Sequence, residues 1–131
     1  MTSRLTSSPW GFRLMPFGDF CRLMKKNGIT EICSMFGDPQ NLAINIAPTK
    51  AAVAENKKIA ADAGVNVLEI SVSSQAYEEQ IPLAAELGAR YVRFCEIWPT
   101  DDAAKRKLRE ILKKAGKLCQ PLGLTAIVEN H

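Results

Sequence analysis

The chain has 131 residues, 47% of them hydrophobic and 24% charged, and its 17 basic against 14 acidic side chains leave a net charge of +3. That is enough apolar material for a core, which excludes an intrinsically disordered chain, and too small a basic surplus to argue for a nucleic-acid partner. The longest uncharged run is 11 residues, well short of the ~20 that a bilayer-spanning helix requires. The start, from Met1 to Trp10, carries no apolar signal core, so the expectation is a cytoplasmic protein without membrane contact.

A first strand, β1, is predicted over about residues 4–8, and a first helix, α1, from 17 or 18 to 26. One unit then recurs four times: a helical stretch, a glycine, and a short β-branched or apolar run containing a charged residue. The glycines are Gly28, Gly64, Gly88 and Gly123, spaced 36, 24 and 35 positions apart. A glycine just past a helix end takes the left-handed conformation that closes the last turn, and the run behind it reads as a strand. The runs place β2 at about 29–35, β3 at 65–72, β4 at 90–97 and β5 at 124–130. A long loop is expected over 37–48, and α2 from 49 or 50 to 63. Pro82 interrupts the stretch 75–87, so a turn is expected there, then a short α3 beginning near Pro82. Thr100-Asp101-Asp102 supplies a cap and acidic first turn for α4, running to about Cys119. Seven basic residues cluster on α4 between Lys105 and Lys117. They fall opposite its apolar stripe and read as a solvated outer face. Helix–glycine–strand units repeating every ~30 residues define an α/β fold of parallel βα repeats.

The cysteines stand at 21, 33, 95 and 119 among apolar neighbours, with no Cys-x-x-Cys pair. A structural zinc cage is therefore not expected, and reduced, buried thiols are. In parallel βα folds ligands collect at the C-terminal strand ends. Glu129-Asn130-His131 closes the fifth strand, and His131 is the one histidine of the chain. Residues two apart on a strand share a face, so Glu129 and His131 project together. A carboxylate beside an imidazole suits a divalent metal or proton transfer at a sugar-like substrate, although solvated termini carry such triplets more often than sites do. Glu31, Glu69 and Glu96 put acids on three further strands. Either they share a polar interior or rim, or they pair with Arg90, Arg93 or lysines. Glu96, beside Trp98-Pro99, leans toward a pocket rim. Trp10 and Trp98 follow the ends of β1 and β4, where an aromatic face packs on a sugar ring or wedges a loop. There is no Gly-x-Gly-x-x-Gly, no P-loop and no serine in a nucleophile elbow, so dinucleotide binding, NTP hydrolysis and esterase chemistry lack support.

Gly28-Ile29-Thr30-Glu31-Ile32, Ala63-Gly64-Val65-Asn66-Val67, the segment from Ala84 to Arg93 and Gly123 to His131 resemble successive landmarks of the xylose isomerase-like TIM barrels. This is the sugar phosphate isomerase/epimerase group, which includes hydroxypyruvate isomerases, inosose dehydratases and ketohexose epimerases. Leu87-Gly88-Ala89-Arg90-Tyr91-Val92-Arg93 and Glu129-Asn130-His131 are the most specific pieces. The resemblance implies a (β/α)8 barrel holding one divalent cation (Mn, Mg, Zn or Co) among Glu, Asp, His and Glu ligands. It makes Glu129 the first metal ligand and a group in proton transfer, and it places His131 where a side chain faces substrate. The implied chemistry removes and returns a proton next to a carbonyl of a small sugar or sugar phosphate.

The stretch from Gly64 to Gly88 is shorter than in the family, and the strands expected to carry the other ligands are missing. The sequence thus predicts, over residues 1–131, a partial TIM barrel covering about β1 to β5. One ligand of four does not retain the metal, so the chain alone is expected to be inert. Glu129 is the expected catalytic and metal residue; His131, Glu96 and Trp10 are the expected substrate contacts. The rival readings are a small α/β binding module without catalysis, or a homo-oligomer formed through an exposed β5 edge of Leu124, Ala126, Ile127 and Val128.

Overall fold

The computed structural model describes residues 5–95 and 100–129. Its elements run β1 (Thr6–Ser7), α1 (Phe17–Lys26), β2 (Glu31–Met35), α2 (Lys50–Ala63), β3 (Asn66–Ser71), α3 (Tyr77–Leu87), β4 (Tyr91–Phe94), α4 (Asp102–Cys119) and β5 (Thr125–Val128), with short 3-10 turns at Trp10–Phe12 and Gln120–Leu122. The predicted repeat is present. Gly64 and Gly88 cap α2 and α3 at φ of 75° and 93°, and Gly28 and Gly123 also have positive φ. At Gly88 a Cβ would meet open space, so the backbone conformation and not crowding calls for glycine. The helix starts are capped by side chains: Thr49 Oγ1 accepts from the Ala52 N–H at 3.2 Å, and Asp101 Oδ1 from the Ala104 N–H at 2.7 Å.

The strands form one sheet in the order β1-β2-β3-β4-β5, with every pair parallel. Ile32 pairs with Val67 and Cys33 with Glu69, which leaves Leu68 as an extra residue and shifts the register. On both sides of that bulge, alternation sends Ile32, Ser34, Val67, Ile70, Val92 and Phe94 to the helix side, where all are buried. Helices α1 to α4 pack in sequence order against one another. Their inward residues (Phe17, Phe20, Met24, Val53, Ala60, Ile81, Leu87, Ala115) complete the core. The basic residues of α4 from Lys105 to Lys117 are exposed, as expected of a solvated face.

Three expectations need correction or detail. Helix α3 begins at Tyr77, with Pro82 inside it. The proline has no N–H for the Glu78 carbonyl, but both residues are exposed, so water can serve that carbonyl. Gln80 Oε1 accepts from the Ser73 N–H at 2.7 Å and fixes the entry into the helix. Second, the 37–48 segment is the expected long loop, but a packed one. Phe36 bridges Ile46 in parallel, and Ile44 and Ile46 are fully buried. A side chain at Gly37 would lie 2.4 Å from Asn45, so the segment needs glycine there for its close approach. Third, β5 is an edge strand, but Leu124 is buried and its N–H bonds to the Cys119 carbonyl at 3.1 Å. Of the expected apolar edge, Val128 is exposed while Ala126 and Ile127 are half-buried. Among the described residues, no helix is long and apolar enough to cross a membrane.

Candidate functional site

The side of the sheet that faces away from the helices carries Cys33, Met35, Glu69, Ser71, Tyr91, Arg93 and Ile127, paired across neighbouring strands by the register, and Glu129 follows just past the end of β5. At the C-terminal strand ends this face opens into a cavity of about 590 Å³. Ser8, Pro9, Trp10, Met35, Ser71, Arg93, Cys95 and Glu129 line it. Since β1 and β5 are opposite edges of the sheet, a cavity lined from both means that the sheet curls round it.

Arg93, on β4, stands between acids from the strands on either side. Its Nε lies 2.8 Å from Glu69 Oε1, and its Nη1 donates to Glu129 Oε2 at 3.0 Å. Ser71 Oγ accepts from Nε at 3.3 Å and from Nη2 at 3.1 Å. The buried Glu69 Oε1 has no aligned hydrogen-bond donor, so its attraction to Arg93 is coulombic more than directional. Burial raises the Glu69 carboxyl above its ordinary value; Arg93 pulls it down, the Glu129 charge pushes it up, and a hydrogen bond with Cys33 lowers it. Net, burial prevails. Burial also raises the Cys33 and Cys119 thiols and pushes Cys21 to about 11, leaving all three protonated at neutral pH. Cys95 is the half-exposed one, in the cavity wall.

Of the expected site residues, the structure brings Glu129 and Trp10 to this one cavity. The Trp10 indole is 61% exposed, with the Arg13 guanidinium 5.6 Å from its ring centroid. It forms a wall and is not a buried wedge. Glu96, Trp98 and His131 lie outside the described residues. Glu69 satisfies both readings offered for the strand acids, since it faces the interior and is paired with Arg93. Glu31 opens β2 at the far end of that strand from the cavity. Arg90 is exposed and lies 5.9 Å from the Tyr91 ring centroid. The residues that sequence reasoning missed are Arg93 as the centre of the cluster, and Ser71. The available signal was a charge inside the apolar run Tyr91-Val92-Arg93-Phe94, flanked in the repeat by Glu69 and Glu129.

A divalent cation does not fit the described residues of this chain. Among them, no three His, Cys, Asp or Glu side chains stand together as a metal site needs. The carboxylate that the resemblance makes a ligand, Glu129, already carries a guanidinium.

No protein-family model and no curated protein matches the sequence. Solved structures do match. A sugar phosphate isomerase/epimerase from Parabacteroides distasonis superposes with a TM-score of 0.76 at 16% identity, over 99% of this chain and 52% of that one. D-psicose 3-epimerase, solved in the presence of D-fructose, gives 0.70 at 15% identity, over 98% and 55%. The IolI protein with a bound zinc atom gives 0.70 at 12%, over 96% and 51%. At such identities the likeness is one of fold. The chain spans about half the length of the structures it matches, and its five parallel strands alternating with helices are those of a partial, xylose isomerase-like TIM barrel.

Proposed function

We propose that the chain forms the first five strands and the four helices between them, one partial-barrel domain over residues 1–131, of a divalent-metal-dependent sugar or sugar phosphate isomerase/epimerase. The observation that carries this reading is the position of Glu129. It is a strand-end carboxylate in the cavity where a parallel barrel binds its ligands, on a fold shared with a sugar phosphate isomerase/epimerase and a ketohexose epimerase. Glu129 is the proton-transfer carboxylate and the one metal donor that this half contributes. Trp10 offers an aromatic wall to a sugar ring, and Glu96 and His131 complete the substrate contacts. The cation (Mn, Mg, Zn or Co) depends on donors from later strands, so the chain alone neither retains it nor turns over substrate. Support for a metal comes from the zinc in the IolI structure, and support for a sugar from the D-fructose of the psicose epimerase. The reading takes the protein as cytoplasmic, acting on a small molecule and not on nucleic acid or membrane.

A second reading, a small-molecule binding module without catalysis, is favoured by one observation: the Glu129 carboxylate is already engaged by Arg93. The two separate in heavy water. Incubated with a ketohexose and Mn²⁺ and followed by NMR, the chain alone should exchange no carbon-bound hydrogen. The chain continued through the codons downstream of His131 should exchange the hydrogen next to the carbonyl, and Glu129→Gln should abolish that. Exchange indifferent to Glu129→Gln overturns the reading. Saturable sugar binding without exchange in the continued chain selects the binding module.

A further inference from the structure

The two edges of the sheet are built differently. The β1 edge is only Thr6–Ser7, with Pro9 close behind, and a short strand ended by proline resists further pairing. The β5 edge, Thr125–Val128, is four residues long without a lysine or a proline, and it pairs with β4 without a break in register. Thr125 and Glu129 send their N–H groups to the carbonyls of Arg90 and Phe94, on the β4 side, at 2.9 and 3.0 Å. By alternation, the N–H and C=O groups of Ala126 and Val128 point the other way, off the open edge of the sheet. The side chains there are apolar: Val128 is 39% exposed, and Ala126 and Ile127 are half-buried.

We infer that this edge pairs with a second copy of itself: β5 lies antiparallel to β5 of a partner subunit, with the twofold axis at Ile127. The backbone sets that register. In an antiparallel ladder, residues whose N–H and C=O groups face each other exchange both hydrogen bonds. Ala126 therefore stands opposite the partner's Val128, and Val128 opposite the partner's Ala126. Ile127 then meets the partner's Ile127 as a pair without hydrogen bonds, where side chains come closest. Thr125 lies opposite the partner's Glu129. Apolar residues thus meet apolar residues, and no like charges face each other across the seam. An isologous contact of this kind stops at two copies. The apolar edge expected from the sequence becomes a defined pairing, and it brings Thr125 of the partner subunit beside Glu129 at the wall of the cavity. The inference concerns the 131-residue chain itself and rests on the fold, not on the isomerase reading.

The test is light scattering behind size exclusion over a concentration series of the chain, with circular dichroism as the check on folding. Wild type should run at twice the mass of one chain and dissociate on dilution. Val128→Pro removes an edge-facing N–H that β4 does not use, once in each copy, and should weaken the dimer at least about tenfold. The register has its own readout. Ile127→Cys should form a disulfide between copies under mild oxidation, since its pair brings the Cα atoms to about 4.5 Å. Thr125→Cys, which faces the partner's Glu129, should not cross-link above the background of oxidised wild type. A wild type that is monomeric at every concentration overturns the inference. So does a folded Val128→Pro that dimerises like wild type, or a Thr125→Cys that cross-links as readily as Ile127→Cys. Particles that grow beyond two copies, as β5 pairing onto β1 of the next copy would give, overturn it as well. Should Val128→Pro not fold, Val128→Lys, which puts a charge on the exposed edge, takes its place, and the wild-type mass alone can still overturn the pairing. Hydrogen exchange by the continued chain is read separately, so either result stands if the other fails.

Discussion

On the helix side of the sheet, Ile32, Ile70, Val92 and Phe94 are shut away from water inside the core. On the other side, Glu69, Arg93 and Glu129 are charged and only partly buried. Strands β3 and β4 supply members of both sets, one residue apart: Glu69 beside Ile70, and Arg93 between Val92 and Phe94. Burying apolar side chains drives folding, at about 25 cal/mol per Å² removed from water. A partly buried ion cluster roughly balances its desolvation against its attraction, and well-packed apolar residues in its place are often as stable or more so. A sheet selected only to persist would carry valine or isoleucine on both faces. The polar face is where the chain gives up apolar burial for charge.

The comparison can be broken most directly at Phe94. Its ring packs edge-on against Tyr77, with centroids 5.8 Å apart, and is fully buried. Phe94→Ala should cost about 3–5 kcal/mol in urea-induced unfolding. Arg93, its immediate neighbour in the chain, should cost less: Arg93→Met removes the guanidinium that faces Glu69 and Glu129, worth about 1–3 kcal/mol after allowing for the partial exposure of Glu129. If Arg93→Met proves the more damaging, the two faces are not divided as described.

A smaller effect tests the electrostatics of the cavity side. The folded chain holds the Glu69 proton more tightly than the unfolded chain does, because burial raises that carboxyl. Its contribution to stability is therefore full below the unfolded carboxyl value and is lost as the pH rises through the raised folded value. The melting temperature of wild type minus that of Glu69→Gln should become more positive as the pH falls from neutral toward 4.5. A constant or opposite trend would mean that Arg93, and not burial, governs this carboxyl. The smallest change is expected at Trp10, 61% exposed on the cavity wall. Trp10→Ala should leave stability within about 0.5 kcal/mol of wild type in the same urea assay.

The helix side is the part legible in the sequence. Helix stripes such as that of α4 and the glycines at 28, 64, 88 and 123 are local signals, and each glycine does have the positive φ that its place in the repeat demands. Where local signals conflict, legibility fails. Pro82 reads as a helix start, yet Tyr77, Ile81, Ala84 and Leu87 continue the same buried stripe through it, and the lost hydrogen bond falls on the wet side. The buried 44–46 segment is invisible because its burial comes from Gly37 meeting Asn45 across the loop, a contact with no sequence periodicity. At the site, Glu129 and Trp10 are legible from their positions at strand ends. Arg93 is not: its role exists only once β3 and β5 are laid on either side of β4, and a charge within a strand does not announce its partners.

The sheet order has a kinetic consequence. Each strand lies beside the strand made just before it, so no pairing spans more chain than one strand–helix–strand unit. A closed barrel must in addition join its first strand to its last, a contact that waits for the whole chain. The pairings among these five strands have no such wait. Short loop closures come first and cost least, so the sheet can grow in order of synthesis, each new unit landing on a finished neighbour while the ribosome is still adding the next.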